Sequence, residues 1–332
     1  MSMFRTISTI ATAIACTALT SCGTATQAVS QPTTRISTAY ELPGDRVYPE
    51  GIAVDPRTGD TYVGSYTNGA VYRATPGAAR AEIFLPEGAD GRKTANGLKV
   101  DAAGRLWVID STAGVAVYDI GSRALIARFE VTGTGPRLVN DLAITPDGSA
   151  YLTDSLRPVV YRVTPEQVTA AHGGKADLTA QFDLSTIISP HAPDAFTLNG
   201  IVSDDSGRYL LIVDMNSGDL YRVATAPNSP EPIRKVSMRG ADLKHGDGLE
   251  LHGSTLWAAQ NTSNTITRWK ISDDGATVEL ERTVTDESLR IPTTLVRSND
   301  RTLVVSSQFD RGGPMGPGTP SMPFAVLTID GI

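Results

Sequence analysis

Four short phrases of the chain begin with an oxygen-bearing side chain at or next to a strand-like run: Glu50 in "PEGIAVD", Asn140 in "VNDLAIT", Asn199 in "LNGIVSD" and Asp247 in "GDGLELH". Brought together, these four side chains would offer oxygen donors and two negative charges, with no thiolate or imidazole among them. Such a set suits a hard divalent cation, Ca2+ first, with Mg2+, Mn2+ and Zn2+ also admitted. A cation held there would polarise a carbonyl or phosphoryl oxygen and lower the pKa of an attacking water, leaving the protein to supply only a proton acceptor. The same residue types also cap strand ends and fix turns through side-chain to backbone hydrogen bonds, and taken singly each is open to that reading.

The four residues become a set only if the fold converges them, and an internal repeat provides for this. Six phrases align through their first strand, at Glu50, Asn96, Asn140, Asn199, Asp247 and Thr293. The period is about 46 residues, with a longer interval between Asn140 and Asn199, and a period of that size marks stacked β modules. Each phrase holds an alternating strand, a turn rich in Gly, Asp or Asn, and a second strand. Room for four strands per repeat predicts an all-β, six-bladed β-propeller with four antiparallel strands per blade, spanning residues 36–332. "PEQVTAA", Pro165–Ala171, is the one helical turn expected.

In a propeller the innermost strand of each blade runs along a central channel. The aligned residues, expected to stand directly before those strands, would therefore ring one mouth. Loops 65–69, 111–114, 216–218 and 260–264 would return to the same face. Asp247 is the in-ring candidate for a base or nucleophile, and His245 is the candidate beside it. Asn96, Thr293 and His191 are placed as substrate contacts, while His172 and His252 fall in turn-like or strand-edge contexts that suit a structural role. Asp110, Asp154 and Asp214 recur at the end of the second strand, where they are expected to bond loop amides. Segment 183–196 is expected to form a lid, and segment 310–323 to bring Met315 and Met322 over the metal face.

With these phrases in view, residues 36–332 resemble the family of senescence marker protein, gluconolactonase and luciferin-regenerating enzyme, related to paraoxonase and diisopropyl fluorophosphatase. The resemblance implies a catalytic divalent metal held by Glu50, Asn140, Asn199 and Asp247. Two departures accompany it. Asn96 stands where paraoxonases place a histidine, and Leu138 stands where gluconolactonases place a sugar-binding arginine, with Arg137 one residue away. The expected function is a divalent-metal-dependent hydrolase of a lactone or related ester. The alternative is a non-catalytic propeller that binds a protein or small molecule and carries a structural cation.

The remaining sequence bounds where and with whom the chain works. Arg5, an apolar run of about 14 residues and the lipobox-like "LTSC" lay out a secretory signal over residues 1–21, the run being too short to span a bilayer. Cys22 would then carry lipid, with residues 22–35 as a flexible tether, making the protein an exported, membrane-anchored lipoprotein of the cell envelope. The two cysteines, Cys16 and Cys22, both lie in this leader, so the folded domain has no thiols and needs no disulfide. A net charge of −7 without a Lys/Arg cluster argues against nucleic acid and leaves the N-terminal lipid as the sole membrane contact. The expected partner is a small-molecule substrate, bound by a monomer.

Overall fold

In the computed structural model the described residues are 1, 34–298 and 301–332, and those from 34 onward form one compact unit. The expected signal, lipidated Cys22 and nearly all of the tether lie outside the described residues. Among the described residues, no helix is long and apolar enough to cross a membrane.

The unit is an all-β, propeller-like array. Strands Pro49–Val54, Thr61–Ser65, Val71–Ala74 and Glu82–Leu85 form an antiparallel meander, and the same plan recurs along the chain. The expectation of six separate four-stranded blades is corrected in its grouping, because the strands form five sheets: three of four strands, one of five and one of eight. The eight-stranded sheet arises where Lys175–Asp183 and Leu125–Val131, outer strands of successive repeats, pair in parallel. The turn after helix Pro165–Ala171 sets up this pairing, with Gly173 N donating to Ile126 O at 2.7 Å and Gly174 O accepting from Arg128 N at 3.0 Å. The helix itself begins on a Thr164 capping box closed by Gln167.

The N-terminal strand Arg35–Leu42 pairs antiparallel with the C-terminal strand Phe324–Asp330, so the first and last parts of the unit share one sheet. The innermost strands are Pro49–Val54, Leu98–Val100, Val139–Ile144, Leu198–Ser203, Gly246–His252 and Pro292–Ser298. Each packs against the next, and the last returns to the first, enclosing a channel.

Apolar alternation along these strands is what holds the array together. Six buried clusters are found among the described residues, each drawn from two successive repeats. Tyr62, Phe84 and Leu98 meet in one of them, and Trp257, Leu295 and Val304 in another. Burying a Val, Leu, Ile or Phe side chain contributes roughly 1.5–3 kcal/mol, so the layers between sheets carry the stability that disulfides would otherwise supply.

Candidate functional site

The aligned polar residues do not precede the inner strands as expected, because most sit inside them, at a repeated β-bulge. Pro49 pairs with Ser65 and Ile52 with Val63, so Glu50 and Gly51 together oppose one residue, Gly64. The same shift occurs between Val139 and Leu142, Leu198 and Ile201, Gly246 and Leu249, and Pro292 and Leu295. In the second repeat, where the strand begins only at Leu98, Asn96 N donates to Ile109 O and Ile109 N donates to Gly97 O, both at 3.0 Å. A bulge leaves an extra residue unpaired and re-aims its side chain. That is why a polar pair is tolerated at the head of a buried strand.

The residue after the ring position is glycine in four repeats, for a steric reason. A Cβ on Gly51 would lie 2.0 Å from Asn96 O, and one on Gly200 would lie 2.1 Å from Asp247 O, so the inner strands approach backbone to backbone. Gly97 and Gly248 hold the same place, whereas the third repeat has Asp141, whose Oδ1 accepts from Leu142 N at 2.8 Å. The ring is therefore tight and locked by main-chain contact.

Glu50, Asn96, Asn140, Asn199 and Asp247 line one cavity of about 180 Å3, and all five are buried. Thr293 does not line it: its Oγ1 donates to Glu50 O at 2.7 Å, beside a narrow space on the inner side of the ring. His245 and His191 also lie off the cavity lining. His245 has a left-handed backbone and a ring nitrogen 3.0 Å from Ser263 Oγ, while exposed His191 contacts Ala192 O at 2.8 Å. His172 caps the helix C-terminus, and His252 pairs with Glu250 at 3.0 Å.

Several ring side chains are oriented by partners on other strands. Asn140 Nδ2 donates to Ser155 Oγ at 2.9 Å, and Ser155 Oγ donates to Leu198 O at 2.7 Å. Asn261 Nδ2 donates to Asp247 Oδ2 at 2.8 Å, and Asn199 Nδ2 reaches Met215 Sδ at 3.3 Å. Asp110, Asp154 and Asp214 bond loop amides as expected, Asp154 Oδ1 accepting from Leu138 N at 2.9 Å and Leu156 N at 3.0 Å. The loop carrying Asn261 was expected on this face, but the roles of Asn261 and Ser155 were not, because each depends on a partner from another strand.

Burial dominates the electrostatics. It raises the Glu50 carboxyl well above its ordinary range, and the nearby Asp247 and Asp141 raise it further. Asp247 is pushed up to about 7, mainly by burial, with the bond from Asn261 opposing the rise. Asn96 Oδ1 and Asn140 Oδ1 are buried acceptors without a hydrogen-bond partner. Two buried carboxyls that disfavour their own charge, beside two unpaired amide oxygens, fit the donor set of a hard cation. Among the described residues no group of three or more His, Cys, Asp or Glu could hold a metal, so a cation here would depend on the asparagine oxygens.

The outer wall of the cavity is apolar. Tyr66 and Met215 come from loops between second and third strands, Phe196 from the long third-repeat segment, and Phe309, Pro314 and Met315 from the sixth repeat. The 310–323 segment is tied down, with Tyr48 OH donating to Arg311 O at 2.9 Å and Gln308 Nε2 donating to Ser321 O at 2.9 Å. Met315 lines the cavity and Met322 does not.

No protein-family model and no curated protein matches the sequence. Solved structures do match in fold. A gluconolactonase from Xanthomonas campestris is 14% identical over 90% of this chain and 89% of its own, with a TM-score of 0.60. The calcium-binding protein regucalcin from Agrobacterium tumefaciens is 16% identical over 89% of this chain and 96% of its own, at 0.58. Virginiamycin B lyase from Staphylococcus aureus is 12% identical over 90% of this chain and 99% of its own, at 0.53. Identities this low establish a shared propeller-like fold and leave the chemistry to the site.

Proposed function

We propose that the protein is a divalent-metal-dependent hydrolase of the gluconolactonase-like propeller family, acting on a lactone or related ester at the ring of Glu50, Asn140, Asn199 and Asp247. The observation that carries this reading is the convergence of those four donors on one cavity, with Asn140 Oδ1 left unpaired and both carboxyls buried without a cationic partner on the lining. Neighbours described as a gluconolactonase and as a calcium-binding protein support it at the level of fold. The closed cycle of six inner strands supports counting the sheets as six repeats, the eight-stranded sheet being two of them. Ca2+ is the preferred cation because the donors are all oxygen.

A bound divalent cation would polarise the substrate carbonyl and lower the pKa of an attacking water. The chain's own residues do the rest. Ser155 holds Asn140 so that its amide oxygen is free for a ligand, and Asn261 holds Asp247 Oδ2 in place. Asp247, held by Asn261 at the cavity wall, is the carboxylate placed to take the proton of the attacking water. Phe309 and Met215 cover the inner part of the cavity wall and would keep bulk water from the reacting centre. Asn96 remains a candidate substrate contact at the ring, and the lipid anchor at Cys22 would keep this activity at the cell envelope.

The test is calcium binding by calorimetry on purified protein, joined to hydrolysis assays on a panel of lactones and esters before and after chelation. Metal-dependent turnover supports the hydrolase. Tight calcium binding without turnover of any lactone, ester or phosphotriester would make the cation structural and the propeller a binding platform. Cys22→Ala should move the protein out of the membrane fraction; unchanged membrane association would remove the anchor from the proposal.

A further inference from the structure

Arg137, the cation nearest in sequence to the third-repeat ring residue, is turned away from the cavity. Its Nε donates to Thr112 O at 3.0 Å and its Nη1 to Gly133 O at 2.7 Å, at an exposed position. Leu138 takes the wall instead. Among the described residues no Lys, Arg or His lines the cavity, so no side chain there would pair with a carboxylate or phosphate on the ligand.

Donors for ligand hydroxyls are also scarce. Of the four asparagines on the lining, Asn140, Asn199 and Asn261 already spend an amide N–H on Ser155, Met215 and Asp247. A polyol placed here would meet acceptors in Asn96 Oδ1 and Asn140 Oδ1, which the cation would claim first, and few free N–H donors, so its hydroxyls would be matched only in part. The outer wall, by contrast, offers apolar surface. Phe196 and Met315 are 50% and 46% exposed, unusual for large apolar side chains, and both border the cavity from the two long segments. At about 180 Å3 the space is below the roughly 300 Å3 at which sites for drug-sized ligands begin, so the occupant is compact.

We infer that the cavity takes a neutral lactone or ester with its carbonyl at the ring and a compact alkyl or aryl substituent against Phe196, Met315 and Leu138, in preference to a polyhydroxylated sugar lactone. This rests on the hydrolase reading for the reaction, but its ligand class can be tested apart from turnover. Phe196 and Met315 are the specificity-determining positions, since each supplies apolar surface that the free protein leaves in water.

The experiment measures binding of two lactams to the calcium-loaded full chain by calorimetry: one δ-lactam with a short alkyl substituent, and one with hydroxyls on the ring carbons. It then measures hydrolysis of the corresponding lactones. The alkyl ligand should bind at least about tenfold more tightly, the scale on which a pocket reads a few methylenes. Phe196→Ser and Met315→Ser, both at exposed positions and checked for unchanged melting temperature, should each reduce that preference severalfold and leave the hydroxylated ligand unaffected. Equal or tighter binding of the hydroxylated lactam, no binding of either, or equal losses for both ligands in the serine variants would overturn the inference. Preferential binding of the alkyl lactam with no lactone hydrolysed would uphold the ligand class and remove the hydrolase reading alone.

Discussion

Asn261 Nδ2 donates to Asp247 Oδ2 at 2.8 Å, and both side chains are buried at the channel mouth. The bond joins the end of a second strand to the bulge of its inner strand, and it opposes the burial that pushes Asp247 up to about 7. A hydrogen bond to a charged group contributes about 1.5–3 kcal/mol, which is one to two pH units of carboxyl titration. Asn261→Ala should therefore raise the pH needed for half-maximal calcium binding. Calorimetric titrations between pH 5 and 9 read this directly, and an unchanged pH profile would remove Asn261 from the site.

Metal removal and pH act together on stability. Glu50 and Asp247 have folded pKa values raised above the unfolded ones, so the metal-free fold holds their protons more tightly than the unfolded chain does. Their contribution is present below the ordinary carboxylate range and is lost as pH rises from about 4 through about 7. Chelated protein should thus lose melting temperature across that window. Calcium should restore it most at the upper end, where the ligands are ionised, by about 2.7 kcal/mol at a hundredfold excess over Kd. Thermal melts with chelator and with calcium at pH 5 and pH 8 check both signs.

Asp247→Asn separates holding a cation from accepting a proton. The amide keeps an oxygen donor and nearly the same shape but cannot serve as a base, so calcium should still bind more weakly while turnover falls by about a hundredfold or more. Asn199→Ala removes a donor outright and should weaken calcium binding itself. Full activity in Asp247→Asn would shift the base to His245, whose ring now meets Ser263 off the lining.

The locked ring makes a prediction about the fold alone. Gly51→Ala and Gly200→Ala drive a methyl into a backbone carbonyl at 2.0 and 2.1 Å, which should cost about 3 kcal/mol or more. Gly121→Ala, where the nearest atom is a carboxylate oxygen at 3.4 Å, should stay within about 0.5 kcal/mol. Urea unfolding of the three variants compares them; equal midpoints would mean that the inner strands are free to separate.

The sequence by itself determined the all-β class, the repeat, the short helix at Pro165–Ala171 and the equivalence of Glu50, Asn140, Asn199 and Asp247, because these reside in local patterns that recur. Tertiary structure alone decided what those patterns do. Strand pairing across repeats merged two sheets through Lys175–Asp183, a contact between segments far apart in the chain that no single repeat encodes. The bulge at each ring position depends on the register of a second strand, so residues read as preceding the inner strands proved to lie within most of them. Thr293 shares the aligned position yet faces away from the cavity, because its hydroxyl is held by the Glu50 carbonyl of the first repeat. His245 and His191, near the ring in sequence, were drawn off by neighbours of their own, and of the two methionines expected over the ring only Met315 reached it, because which side chain of a long segment lines the cavity depends on the path the packed fold gives that segment.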